Sequence, residues 1–108
     1  MPTYDVIIVG GGVLGASTAY HLARLGGAKV ALVERGGIAS GPTGYSSAII
    51  RQNYSNESTA RMALESVRFF QAFSDLTGGG ECGYRRTGCV TLAAEADTAA
   101  LRTNGEMQ

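Results

Sequence analysis

Net charge is the first thing this sequence lacks. Nine Lys and Arg residues balance nine Asp and Glu residues. Eight of the basic residues are arginines scattered along the chain, and Lys29 is the one lysine. A protein that holds nucleic acid or an anionic membrane surface concentrates basic side chains on one face, so neither partner is indicated. Cysteine is scarce as well, with Cys82 and Cys89 alone. Two thiols do not make a disulfide framework, and without an export signal they are expected to stay reduced. Long apolar runs are missing: Val6–Val9 is too short for a signal core or a membrane span. These absences lead to the expectation of a cytoplasmic protein without a membrane span. The one histidine, His21, sits within a helical stretch and reads as a packed or surface residue. No cluster of residues has metal-ligand spacing, and no general base stands out.

Glycine is abundant, with 16 residues in 108. It falls in bursts at turns and not in a repeat. The first burst is the most informative. Tyr4–Val9 is a β-branched run suited to a parallel strand buried on both faces. Gly10–Gly12 interrupts it. Val13–Leu25 has helical periodicity, with Leu14, Ala19, Leu22, Ala23 and Leu25 facing inward and Gly26–Gly27 as its stop. Lys29–Glu34 is a second apolar strand, which completes a βαβ unit.

In G-x-G-x-x-G the first glycine makes the tight turn, the second admits a pyrophosphate, and the third lets helix and strand pack closely. Gly10, Gly12 and Gly15 hold those positions. The anion then lies at the helix start, beside Val13 and Leu14, where unpaired N–H groups and the dipole favour it. Glu34 follows at the distance of an acid that accepts hydrogen bonds from a ribose diol. Its charge opposes a 2′-phosphate, hence NADP. The βαβ unit itself does not separate FAD from NAD.

Beyond Glu34, "RGGIASGPTGYSSAIIRQN" is rich in small residues and reads as an extended loop in its first half. A long helix is expected from about Ser55 to Thr77, capped by Ser55 or Asn56 and stopped by Gly78. Ala63, Val67 and Phe70 mark one side of it; Phe69, Phe73 and Leu76 mark the neighbouring strip, which reads as core. Tyr84–Arg86 and Cys89–Ala93 read as short strands, and Glu95 opens a last helical stretch. Two parallel strands make an incomplete sheet, so the chain reads as the front portion of a larger α/β protein.

The stretch "DVIIVGGGVLGASTAYHLARLGGAKVALVERGGIASGPTGYSSAIIRQNY" resembles the amino-terminal part of the FAD-dependent amine oxidoreductases related to D-amino-acid oxidase. That family includes glycine oxidase, sarcosine oxidase and dimethylglycine dehydrogenase. The similarity continues through "YRRTGCVTLAAEAD", and "SSAIIRQNY" is similar to the sarcosine oxidase beta-subunit type. The fingerprint is widespread; fingerprint, acid, S-G-x-T-G loop and I-I-R-x-N-Y together are far more specific.

The resemblance implies a Rossmann-like FAD-binding βαβ unit, then a helix and a short β element of an incomplete larger fold. Residues 1–78 would begin the FAD-binding domain and 79–108 a substrate-domain-like segment. It implies that the ADP half of FAD lies on Gly10–Gly15 and Glu34. Arg35 and the loop of Thr43, Gly44, Ser46, Ser47 and Ala48 would run along the cofactor. Arg51 would hold a substrate carboxylate through its planar fork, with Tyr54 beside it. The histidine through which some relatives attach flavin is missing from "GYSSAII". The reaction implied is oxidation of the C–N bond of a small amine or amino acid, such as sarcosine, glycine or dimethylglycine. A hydride equivalent leaves carbon and water hydrolyses the imine produced. Oxygen or an electron-transfer protein would be the acceptor, and other subunits or a missing remainder of the chain would complete the enzyme. Two rival readings are an NAD-dependent dehydrogenase and a non-catalytic dinucleotide-binding fragment or subunit. The loop after Glu34 opposes the first, because an NAD domain would continue to its third strand there. Even with an enzyme as its parent, the isolated chain is expected to be inactive.

Overall fold

The computed structural model describes all 108 residues, which part into two compact units, Met1–Ile49 and Ile50–Gln108. In the first unit, strand β1 (Val6–Val9) leads through the glycine turn to helix α1 (Val13–Leu25), and strand β2 (Val30–Val33) follows. The strands pair in parallel with Val6 opposite Val30 and Val9 opposite Val33. Asp5 fixes that register at its open end. Its backbone N–H donates to the Lys29 carbonyl at 2.9 Å, and its carboxylate accepts the Lys29 N–H at 2.7 Å. Gly10 N–H donates to the Val33 carbonyl at 2.8 Å, so the ladder runs into the turn before the chain leaves it.

Helix α1 packs on both strands. Gly26 and Gly27, at φ 75° and 82°, stop it in the left-handed region that glycine enters freely. The helix covers one sheet face only. Along β1, Val6 and Ile8 are half-buried, whereas Ile7 and Val9 are 63% and 86% exposed. Burial on both faces, expected from the apolar runs, is therefore not met within these residues. One helix supplies one covering layer, and side chains alternate across a strand. The same shortage of layers corrects the inward set of α1. Ala19 and Leu22 are half-buried, but Leu14, Ala23 and Leu25 are exposed.

In the second unit, α2 (Glu57–Gln71) begins at Asn56, whose side-chain oxygen accepts the Thr59 N–H at 3.2 Å. Ala60 and Val67, seven residues apart on one stripe, are its buried side chains. The single helix expected through Thr77 is two. At Ala72 the backbone leaves helical geometry (φ −102°, ψ 17°), and α3 (Phe73–Thr77) restarts at once. The bend keeps the Phe69 and Phe73 rings edge-to-face at 5.9 Å, a favoured aromatic geometry. Gly78, at φ 80°, ends α3, and Gly79 N–H donates back to the Ser74 carbonyl at 2.8 Å.

The strands expected at Tyr84–Arg86 and Cys89–Ala93 do not form, so the fold lacks its short β element. Gly83 and Gly88 adopt positive φ, and Val90 and Leu92 are 86% and 91% exposed. An isolated pair of short strands with no face to bury is marginal in water. Two side-chain contacts tie this segment back instead. The Tyr84 ring stacks on Phe70, and Asn53 donates to the Thr91 hydroxyl at 3.1 Å. Both thiols are free. A 3-10 turn at Glu95–Asp97 leads into α4 (Thr98–Met107). The Gln108 amide donates to the Asn53 side chain and to the Tyr54 carbonyl. No helix is long and apolar enough to cross a membrane.

Candidate functional site

The site is built where β1 ends and α1 begins. Gly10 stands at φ 109°, a conformation closed to most L side chains. Gly12 is the N-cap of α1, and its carbonyl accepts the Ala16 N–H at 2.9 Å. Gly12 has no side chain with which to cap the helix, so the first amides need partners from elsewhere. Thr43 supplies one from 30 residues away: its hydroxyl accepts the Val13 N–H at 3.0 Å. A Cβ on Gly12 would meet that hydroxyl at 2.9 Å. A Cβ on Gly15 would run into the carbonyl oxygen of Gly10 and touch Ile8 at 3.4 Å. The third glycine is thus the close contact between helix and strand that the fingerprint requires.

Glu34, just past β2, turns its carboxylate onto this turn. One oxygen accepts the Gly11 N–H at 2.6 Å and the other the Gly36 N–H at 2.8 Å. These two amide donors, with the adjacent Arg35 charge as a smaller aid, hold the carboxyl below its ordinary pKa. Glu34 therefore remains an acceptor at neutral pH. Each oxygen uses one lone pair on the backbone and keeps another for an incoming hydroxyl.

The loop after Glu34 folds over the same turn. Ala39 N–H donates to the Gly11 carbonyl at 3.0 Å. Short bonds from Ser40 to Gly37 and from Gly44 to Gly41 keep the loop tight, and a Cβ on Gly44 would strike the Ala39 carbonyl. Ala39 and Ala48 both sit at positive φ (59° and 54°) without being glycine. Such strained residues concentrate at ligand sites.

Of the residues singled out from sequence, Gly10, Gly12, Val13, Gly15, Glu34 and Thr43 come together around one turn. Gly44 shapes the loop. Leu14 is on the first turn of α1 with an exposed side chain, and Arg35 is exposed beside Glu34. Ser46 accepts the Ala48 N–H at 3.1 Å, and Ser47 lies exposed between them. Arg51 and Tyr54 belong to the second unit, where the guanidinium stands 5.3 Å from the Tyr54 ring centroid. Gly36, Ile38 and Ala39 also build the turn and are not among the expected residues; Gly11, which lies inside the expected Gly10–Gly15 stretch without a role of its own, joins them. The triplet of glycines was the available signal for Gly11, but the fingerprint leaves that position free. No group of His, Cys, Asp and Glu side chains is disposed to hold a metal.

The cradle fits a dinucleotide. A Cβ on Gly10 would meet nothing within 4 Å, so the turn is open there, helix α1 begins on it, and the ionised Glu34 carboxylate lies against the same turn. Comparison with known proteins decides which dinucleotide. The family of FAD dependent oxidoreductases, DAO, matches residues 5–108. The chain belongs to this family. FAD is the cofactor of its members and supplies the redox chemistry when bound. The mouse mitochondrial pyruvate dehydrogenase phosphatase regulatory subunit is 35% identical over 86% of this chain and 10% of its own length. The sarcosine oxidase subunit beta of Rhodobacter capsulatus is 39% identical over 66% of this chain and 17% of its own. Human mitochondrial dimethylglycine dehydrogenase is 27% identical over 82% and 10%. The chain thus spans between a tenth and a fifth of these relatives. No solved structure matches it.

Proposed function

We propose that this chain is the amino-terminal FAD-binding part of an oxidoreductase that oxidises the C–N bond of a small amino acid or N-methyl amino acid. The observation that carries the reading is the convergence of the α1 start, Thr43 and the doubly bonded Glu34 carboxylate on one glycine turn. Family membership gives the cofactor; sarcosine and dimethylglycine, named for two relatives, give the substrate class. In this reading Gly10–Gly15 and Glu34 hold the ADP half, and Arg35 with Thr43–Ala48 follows the cofactor. Arg51 binds the substrate carboxylate, with Tyr54 holding the guanidinium by a cation–π contact. Residues 1–78 begin the FAD-binding domain and 79–108 the substrate domain. Oxygen or an electron-transfer protein takes the electrons, and further polypeptide completes the pocket. The 108 residues alone turn over no amine.

The test is an amine screen with the full-length protein and its Arg51→Ala variant. Oxidation of sarcosine, glycine or dimethylglycine, with KM raised by about ten- to hundredfold in the variant, supports the reading. Activity that is indifferent to Arg51 removes that residue from the pocket. A second reading has its own observation, the likeness to a regulatory subunit. A full-length protein that binds FAD and oxidises none of these amines favours that reading.

A further inference from the structure

Three residues of the chain are buried: Ala60 and Val67 on α2, and Gly11. That a glycine at the free position of the fingerprint is the single buried residue of the first unit calls for a reason. Its two backbone groups are both used across the turn, the N–H by Glu34 at 2.6 Å and the carbonyl by Ala39 at 3.0 Å. Its missing side chain matters as much. A Cβ built there would lie 2.7 Å from Ile38 Cδ1 and 3.2 and 3.3 Å from Cβ and Cγ of Glu34. The Ile38 end and the Glu34 stem therefore occupy the space that any larger residue would need. Ile38 is 68% exposed, so it is the Cδ1 end of the side chain that lies over Gly11.

We infer that Gly11 and Ile38 form a positioning pair: Ile38 closes over the space left by Gly11 and fixes the Glu34 carboxylate where it meets the cofactor's ribose. This rests on the cofactor reading above and adds two residues to it. Neither touches the reacting atoms. Gly11 aims one carboxylate oxygen, leaving its remaining lone pair directed outward. Ile38 keeps water from competing for the Gly11 N–H, which strengthens that bond. Widening Gly11 pushes the Glu34 stem aside by a few tenths of an ångström, and shortening Ile38 gives that space back.

The experiment uses the full-length protein, stripped of cofactor, with FAD, ADP and 2′-deoxy-ADP as probes in calorimetric titrations. Deoxy-ADP lacks the hydroxyl that Glu34 accepts, so the ratio of the two ADP affinities reads the carboxylate's position apart from folding. Gly11→Ala is expected to weaken ADP by about tenfold, as for one lost charge-assisted hydrogen bond, and to bring the ratio close to one. Ile38→Ala is expected to weaken ADP less. Gly11→Ala with Ile38→Ala is expected to recover most of both the affinity and the ratio, the non-additivity of a pair in contact. An unchanged ratio in Gly11→Ala, or no recovery in the double variant, overturns the pair. If Gly11→Ala does not fold, Ile38→Ala decides alone: an unaltered ADP affinity and ratio overturns it. A wild-type protein that binds neither FAD nor ADP overturns the cofactor reading itself, and the pair with it. Binding of FAD with an indifferent pair overturns only the pair.

Discussion

Replacing Gly15 by alanine separates two effects that usually travel together. Gly15 lies in α1 with helical backbone, where alanine is favoured over glycine by roughly 0.5–1 kcal/mol. Its new Cβ, however, would press into the Gly10 carbonyl oxygen, reach the carbonyl carbon at 3.1 Å and touch Ile8 at 3.4 Å. The first of these is backbone and cannot swing away, so α1 must lift from the strand. Overpacking of this kind costs about 1–3 kcal/mol. Subtracting the propensity gain leaves a net loss of up to about 2.5 kcal/mol, centred near 1 kcal/mol, for α1. Gly105 in α4 supplies the control, since a Cβ there meets nothing within 4 Å. Gly105→Ala should gain about 0.5 kcal/mol, less than mid-helix because it sits near the end. Hydrogen exchange resolved to each helix measures both locally. Amides of α1 should exchange roughly five- to tenfold faster in Gly15→Ala, and those of α4 somewhat slower in Gly105→Ala. Slower exchange of α1 in Gly15→Ala would refute the close-contact argument outright.

Three further outcomes follow from the same geometry. The Glu34 carboxyl is held below its ordinary value, so what its charge contributes is present above that value and lost as pH falls through the lowered one. FAD affinity should stay level from neutral into mildly acidic pH and fall only once the pH passes below the usual carboxylate range. Glu34→Gln should abolish that acid limb and weaken FAD throughout, measured by flavin fluorescence across pH. Asn56→Ala removes the side-chain acceptor for the Thr59 N–H and should cost α2 about 1 kcal/mol, read as faster exchange of its first-turn amides. Arg61→Ala breaks an ion pair with Glu57 that is exposed on both sides, and should move unfolding midpoints by less than about 0.5 kcal/mol equivalent.

Where punctuation was local, the sequence was easy to read. Helix α1 begins and ends on the residues expected because glycines flank it on both sides, and Asn56 and Gly78 bound the second helical region for similar reasons. The strands came out shorter, trimmed to the four residue pairs that make a ladder. Burial and pairing that depend on neighbouring layers are not written in the local pattern. Ile7, Val9, Leu14 and Leu25 have core-like chemistry, but burial needs a second layer, and only one helix covers the sheet. Val90 and Leu92 have strand-like chemistry and lack a ladder partner. At the site, the gathering of the fingerprint glycines, Glu34 and Thr43 on one turn was legible, the glycines and Glu34 from the spacing of the fingerprint and its acid and Thr43 from the family resemblance. Gly11 and Ile38 were not, since the space they share is created by a loop that returns 27 residues later to cover the turn.

An FAD site made by the glycine turn and Glu34 has a direct signature in binding. The most direct test titrates the cofactor-free full-length protein with FAD and with NAD, alongside Glu34→Gln. Saturable FAD binding, much tighter than NAD and weakened by about ten- to hundredfold in the variant, is the expected result. Failure to bind FAD, or binding to which Glu34 is indifferent, would contradict it.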